Sequence, residues 1–261
     1  MKKNRTIKQG VYLVYKEIGE TPLESINKFR KEGMKENPEL DFLPITYAGR
    51  LDPMAEGVLI LLSGEETKNK EKYLGLTKTY EFEILWGAET DTLDLLGLVL
   101  ESVSENVQPN VERIEDYLRK SVGKFEQMYP AYSSRPVGGK PLFEWAREGK
   151  IGGLEIPKHE VEIFESKYLG RREIAPDDLL KEIFSKINLV NGDFRQEEIK
   201  KSWDSFFAGR KSNFVVDKIQ LRVSGGFYVR QFVSDLGKVC DVPAVTLNIK
   251  RNAVGDYAIA K

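Results

Sequence analysis

Two residue types that carry much of enzyme chemistry are almost missing from this chain: of 261 residues one is cysteine, Cys240, and one is histidine, His159. A single thiol can form neither an internal disulfide nor a cysteine zinc cluster. A single imidazole cannot build a multi-histidine metal site, and His159, inside the charged run 158–162, reads as an ordinary surface residue rather than as the base of a Ser-His-Asp triad. Long apolar runs are missing as well. The front of the chain offers nothing longer than residues 58–62, far short of the roughly 18–20 residues of a membrane span. The basic N-terminus lacks the apolar core and cleavage site of a secretory signal, so a cytoplasmic protein without membrane contact is expected. There is no internal repeat and no low-complexity tract, which sets solenoids and arrays aside. There is also no surplus of one charge: 40 basic residues face 41 acidic ones, a net charge of −1, unlike a strongly basic nucleic-acid-binding domain. If the protein is an enzyme, its working groups are carboxylates, Tyr, Lys or Arg.

What is present is an ordinary globular composition, 41% hydrophobic and 10% aromatic, in a length that allows one large domain with a sizeable core. The balanced total conceals local bias. Lys2, Lys3, Arg5 and Lys8 occur without an acid among the first nine residues, and Arg135, Lys140, Arg147 and Lys150 surround a Gly/Pro-rich stretch. A neutral protein can still hold a basic groove.

Periodicity and turn chemistry outline the elements. Residues 10–18 read as a strand and 21–35 as a helix with Thr21 as cap and Pro22 in its first turn. A turn at 46–53 feeds the apolar strand 58–62, and Lys78–Trp86 alternates as a half-buried strand does. A helix is expected over 111–122, then a Pro/Ser/Gly-rich loop over 129–141 suited to binding, then a helix through Leu142–Arg147. Strand-like stretches 161–168 and Phe214–Val223 bracket a charged segment of helical spacing at 170–212, read as a helical insertion into a sheet. A strand-turn passes into a helix over 225–237, and a last strand lies near 255–260. Strands and helices interleave without regular βαβ spacing, which predicts an α+β fold with a mixed, largely antiparallel sheet flanked by helices.

Several segments could carry chemistry. Asp52, between Gly49-Arg50-Leu51 and Pro53, reads first as a helix N-cap with proline in the first turn; the second reading is a nucleophilic carboxylate on a tight turn beside an apolar strand, with Arg50 as a nearby counter-charge. Arg230 follows Tyr228 by two, so strand alternation would put both on one face, either as a surface cation or, if that face meets Asp52, as its ion-pair partner. Tyr80 alternates with Phe82 and Ile84 as a core aromatic does. The turn Thr90-Asp91-Thr92-Leu93-Asp94 lacks the glycine and terminal Glu of an EF-hand and reads as a turn bonded to its own backbone. Gly138-Gly139-Lys140 lacks the upstream glycine and following Ser/Thr of a phosphate-binding loop.

In order, Gly10 to Glu17, Gly49-Arg50-Leu51-Asp52-Pro53-Met54-Ala55-Glu56-Gly57-Val58-Leu59 and Gly64-Glu65-Glu66-Thr67-Lys68 are followed by Lys78-x-Tyr80 and Thr90-Asp91-Thr92-x-Asp94. Pro130-x-Tyr132-Ser133, Gly139-Lys140-x-Leu142-Phe143, Gly226-x-Tyr228-Val229-Arg230 and Asp235-Leu236-Gly237 complete the set. Each fragment is weak alone, but the ordered set resembles the TruB-type tRNA pseudouridine synthases, which make pseudouridine 55 of the T-arm. It spans residues 10–168 and 213–260. The resemblance implies the pseudouridine synthase fold and a single catalytic domain over 1–261 with the insertion at 170–212; the sequence departs from many relatives in that the C-terminal RNA-binding domain they carry is not expected after Lys261. It implies a monomer acting on the tRNA T-arm without metal or cofactor. By the same resemblance Asp52 would be the catalytic aspartate, Arg230 its salt-bridge partner and Tyr80 the aromatic that stacks on the target uracil and assists proton removal. Ile249 would form the aliphatic wall beneath the base, with Tyr47, Arg50, Tyr132, Arg135, Lys140 and Tyr228 as further substrate-binding residues. The chain departs from the family at Tyr47, where a histidine that holds the flipped-out RNA is usual, at Ala48 for a threonine, and at Pro136 for a lysine, with Arg135 beside it as a substitute cation. RNA binding is expected to depend on the cations of 135–150 more than on those of 170–212. Two other readings fit the same scaffold: a synthase for another RNA, since Gly-Arg-Leu-Asp also resembles the turn of enzymes acting on ribosomal RNA, and a non-catalytic RNA-binding or RNA-folding protein.

Overall fold

The structure, a computed structural model, describes residues 5–35, 37–103 and 107–259. Lys2 and Lys3 of the basic N-terminus, and Ala260 of the expected last strand, lie outside them. A hairpin of β1 (Arg5–Lys8) and β2 (Val11–Lys16) leads to α1 (Pro22–Gly33). Its start is capped in both directions, Thr21 Oγ1 accepting from the Glu24 N–H while the Glu24 carboxylate accepts from the Thr21 N–H. Next come β3 (Ile45–Ala48), β4 (Ala55–Ser63), a short α2 (Lys70–Leu74) and β5 (Lys78–Trp86). β6 (Ala88–Thr90) and β7 (Val99–Ser102) pair as a ribbon around the acidic turn. Then follow α3 (Val111–Lys120), β8 (Gly123–Met128), the hairpin β9 (Pro136–Val137) and β10 (Lys140–Pro141), α4 (Leu142–Arg147) and β11 (Lys158–Ile174). The chain closes with α5 (Pro176–Ile187), α6 (Gln196–Phe207), β12 (Phe214–Val223), α7 (Val229–Cys240), β13 (Ala244–Val254) and β14 (Tyr257–Ala258).

Among the described residues the main sheet has ten strands in the order β1-β2-β4-β13-β5-β12-β11-β8, with β3 joined to β4 and β14 to β13. β4 and β13 run parallel and the other pairs antiparallel, so the fold is α+β with a mixed, largely antiparallel sheet. The alternation in β5 sorts its side chains to two faces. Phe82, Ile84 and Trp86 pack with Phe232 and Leu236 of α7 and Ile114 and Leu118 of α3. Leu85 packs on the other side with Ile183 of α5 and Trp203 and Phe207 of α6. Both helices of the 170–212 segment thus cover one face of the sheet. Residues 170–174 are not helical: they continue β11, where Ile174 still pairs with Phe214, and helix begins at Pro176.

The parallel contact of β4 with β13 depends on one glycine. Gly57 has φ +118°, and a Cβ there would lie 2.2 Å from the Arg251 carbonyl oxygen, a backbone atom that cannot swing aside. Gly57→Ala is therefore expected to destabilise the fold by at least about 2 kcal/mol and lower the thermal unfolding midpoint by about 4–8 °C, measured by calorimetry. The register matters because Ile249 of β13 sits opposite Ala55 of β4 and Phe82 of β5. It places the start of β4 beside Ile249 and Tyr80.

Candidate active site

The turn between β3 and β4 carries Asp52, and its backbone carbonyls are held by two buried cations. Arg251 of β13 donates from Nη2 to the Gly49 carbonyl (3.0 Å) and from Nε to that of Val58 (2.7 Å). Lys16 of β2 donates from Nζ to the carbonyls of Ala55 (2.5 Å) and Glu17 (3.0 Å) and reaches that of Pro53 (3.5 Å). The Pro53 carbonyl also accepts from the Gly19 N–H (2.9 Å). No helix follows Asp52; the Ala55 N–H closes the turn on the Asp52 carbonyl (3.0 Å) and β4 begins at once. The N-cap reading of Asp52 fails for that reason. Its carboxylate Oδ2 accepts from Arg230 Nε at 2.8 Å, and its side chain is 31% exposed.

Arg230 does not lie on a strand. The chain leaves β12 at Val223, and Arg230 is the second residue of α7, whose N-cap is Tyr228. The shared strand face of Tyr228 and Arg230 therefore does not exist, because strand pairing ends before Gly225-Gly226, where Gly226 takes φ +85°. The loop is fixed by buried Gln127 of β8, which accepts from the Tyr228 N–H (2.8 Å) and donates to the Tyr228 carbonyl (3.0 Å). The expectation of a plain surface His159 also changes. Its ring stacks on Tyr129 with centroids 4.1 Å apart, and its Nε2 lies 3.0 Å from the Gly226 carbonyl, bracing the same loop.

The Arg230 side chain is 3% exposed and spends its donors on three segments. Beside Asp52, Nη1 donates to the Thr92 carbonyl (2.5 Å), Nη2 to that of Tyr132 (3.2 Å), and the Asp94 carboxylate is 3.8 Å from Nε. Burial alone would lower the guanidinium's pKa, but Asp52 and Asp94 hold it above its ordinary value. The turn 90–94 is indeed bonded to itself. Thr90 Oγ1 donates to the Asp94 carbonyl (2.7 Å), and Asp94 Oδ1 accepts from Thr92 Oγ1 (2.7 Å) and the Leu96 N–H (2.9 Å). It has a second task that its sequence did not show, presenting the Thr92 carbonyl and Asp94 to Arg230.

These elements surround a cleft of about 980 Å³. Asp52, Tyr80, Tyr132, Tyr228, Arg230 and Ile249 all line it. So do Tyr47 and Arg50 at its rim, where Arg50 Nη2 donates to the Tyr47 hydroxyl (3.2 Å) and Lys70 Nζ stands 5.3 Å from the Tyr47 ring centroid. Arg135 and Lys140 are not among its lining residues. Arg135 stacks 5.1 Å from the Tyr129 ring centroid, while Lys140 is bonded to Glu148 and sits 3.8 Å from the Trp145 centroid, so its charge is committed within the β9–β10 hairpin and α4. Arg147 of the same basic cluster does line the cleft, and so do Asp193, Phe194 and Arg195 of the connection between α5 and α6. Sequence reasoning missed Lys16, Asp94, Gln127, Arg251 and these three. The one available signal was Lys16, a lysine closing the otherwise uncharged strand β2. Among the described residues no three His, Cys, Asp or Glu side chains converge into a set able to hold a metal ion, and no helix is long and apolar enough to cross a membrane.

Two buried amines at this end of the sheet titrate unusually. Burial lowers the pKa of both Lys16 and Lys78 from 10.5 to about 8, and Lys78 is tied to the carbonyls of Leu74 and Leu76. At these two sites the unfolded chain binds more protons than the folded one between these values, so both amines contribute stability that grows as pH rises from about 8 toward 10. The urea midpoint is expected to climb from about pH 8 to 9, below the range where buried tyrosines with raised pKa values oppose it, and Lys78→Met, which removes one of the two titrations, is expected to flatten the climb.

Residues 40–183 match the TruB family pseudouridylate synthase N-terminal domain. The tRNA pseudouridine synthase B of Thermotoga maritima is 29% identical over 97% of this chain, which spans 65% of that protein's length. That of Lactobacillus acidophilus is 31% identical over 97% of this chain and 70% of its own length. Among solved structures, a chain of a Cbf5-Nop10-Gar1 complex superposes over 96% of this chain and 50% of its own with a TM-score of 0.56 at 14% identity. A chain of an H/ACA RNP bound to a substrate RNA containing 2′-deoxyuridine does so at a TM-score of 0.53, over 96% of this chain and 49% of its own, at 14% identity. These two share the pseudouridine synthase fold. By the extent of the family match and the likeness to the Lactobacillus acidophilus protein, the chain belongs to the TruB family of pseudouridylate synthases.

Proposed function

We propose that this chain isomerises uridine to pseudouridine in tRNA, at position 55 of the T-arm, as a cytoplasmic monomer with Asp52 as its catalytic aspartate. The observation that carries this reading is the Asp52 carboxylate: one oxygen is held by buried Arg230, while Oδ1 accepts no hydrogen bond from a described residue, in a cleft walled by Tyr80 and Ile249. The relatives named above as tRNA pseudouridine synthase B support the substrate class.

The chemistry suits this inventory. Uridine and pseudouridine are isomers, so the C1′–N1 bond breaks, a C1′–C5 bond forms, one proton leaves C5 and N1 takes one up, with no oxidant, reductant or group donor. That requires a carboxylate at the glycosidic carbon, a place to hold and turn the detached uracil, and a base for the C5 proton. Asp52 serves the first, the Tyr80 ring and Ile249 the second, and the Tyr80 hydroxyl the third. A base in a folded RNA must leave its stack to arrive, and an aromatic and aliphatic wall repays part of that cost. Tyr47 with Arg50 stands at the rim where the flipped nucleotide's backbone would pass.

The test is incubation of the purified protein with an unmodified tRNA transcript, without metal or nucleotide, followed by single-nucleotide mapping of pseudouridine. Modification at the T-arm uridine is the expected result. No modification despite tRNA binding would overturn the proposal and favour another RNA or a binding protein on the same scaffold.

A further inference from the structure

We propose that the connection between α5 and α6 is a wall of the RNA cleft, in which Phe194 stacks on a nucleotide flanking the target base and Arg195 holds it in place. The inference rests on the reading of the substrate as RNA. α5 and α6 are anchored by fully buried Ile183, Ile199 and Trp203 on the sheet face opposite α7. That packing does not require their connection to reach the cleft, yet Asp193, Phe194 and Arg195 line it.

The connection is braced at both ends. Near its start Leu189 lies so close to the β2–α1 link that a Cβ on Gly19 would be 2.3 Å from the Leu189 carbonyl oxygen, and Asn191 Nδ2 reaches Glu24 Oε1 at 3.4 Å. Near its end Arg195 adopts a left-handed φ of 62°, unfavourable for a residue with a side chain. What holds it there is its guanidinium, which donates to Asp91 Oδ2 at 2.8 Å and stands 5.5 Å from the Tyr132 ring centroid, while the Tyr132 hydroxyl donates to the same oxygen at 2.9 Å. Gln196 closes the loop from within, accepting from the Phe194 N–H (2.9 Å) and donating to the carbonyls of Gly192 (2.7 Å) and Val190 (3.1 Å). The loop is thus pre-organised and spans from the α1 corner to the turn that feeds Arg230.

Phe194 is the side chain this loop offers. It is half-buried at the cleft wall, and the Arg147 guanidinium lies 6.0 Å from its ring centroid. Arg147 makes no ion pair with a described carboxylate; its contacts are the rings of Phe143 and Phe194. An aromatic face beside an unpaired guanidinium is the surface that holds single-stranded nucleotides, the ring under a base and the cation toward a phosphate.

Phe194→Leu keeps the apolar packing and removes the ring face. With a tRNA transcript it is expected to raise both Kd in filter binding and KM for pseudouridine formation about five-fold or more, the low end of what stacking one base supplies, with kcat unchanged. Phe194→Tyr is expected to restore both, and Arg195→Ala to raise KM by freeing the loop. Unchanged Kd and KM in Phe194→Leu, a loss confined to kcat, or a loss that Phe194→Tyr does not repair would overturn the inference. A wild-type protein that forms no pseudouridine overturns the reading beneath it instead, and the Kd comparison still decides the wall.

Discussion

Asp52→Asn is expected to lower single-turnover pseudouridine formation by at least about 10³-fold while tRNA affinity stays at the wild-type value. The substitution keeps volume and shape, and an amide oxygen can still accept the Arg230 Nε hydrogen bond now made at 2.8 Å. Arg230 also keeps Asp94, the Thr92 carbonyl and the Tyr132 carbonyl, so the turn has little reason to move. What is lost is the charge and nucleophilicity of the one carboxylate oxygen without a hydrogen-bond donor. The check pairs a time course on a tRNA transcript with filter binding of the same RNA. A variant that retained more than about 1% of wild-type turnover would remove Asp52 from the chemistry.

Arg230→Met is expected to fail in stability as well as activity. The guanidinium satisfies Asp52, Asp94 and two carbonyls from different segments of chain, and the thioether replaces none of those donors. Removing one member of a buried ion pair costs about 3–5 kcal/mol, which for a chain of this size corresponds to a fall in unfolding midpoint of roughly 10 °C. Protonation of Asp94, whose carboxyl is already pushed up by burial, relieves part of that cost. Arg230→Lys is expected to recover little, because one ammonium cannot span acceptors that the planar fork reaches from Nε, Nη1 and Nη2 together. Calorimetry gives the stability loss, and single-turnover assays well below the lowered midpoint isolate the loss of Asp52 orientation. A near-wild-type midpoint for Arg230→Met would show that the buried network is not needed to hold the three segments together.

Much of the local structure could be read along the chain. The alternation of Lys78–Trp86 becomes β5 with those bounds, and Thr21 caps α1 as expected, because a two-residue period and a helix cap are short-range facts. Short-range reasoning failed where the chain changes state. The run 226–230 looked like a strand continuing, but a left-handed Gly226 and a clamp from Gln127, 101 residues away, turn it into the start of α7. Asp52-Pro53 looked like a helix start, but pairing of β4 with β2 and β13 claims the residues a helix would need.

By itself the sequence determined which chemistry was excluded, where most strands and helices lie, and which ordered motifs set Asp52, Tyr80 and Arg230 apart. Only the tertiary structure decided that Asp52 and Arg230, 178 residues apart, meet at 2.8 Å; that Lys16 and Arg251 are buried to hold the turn between them; that Lys140 is spent on Glu148; and that Phe194 reaches the cleft. The physical reason is range. Periodicity, capping and turn preference are energies between near neighbours, whereas burying a charge is tolerable only once distant segments bring its partners, and no local pattern records which segments those are.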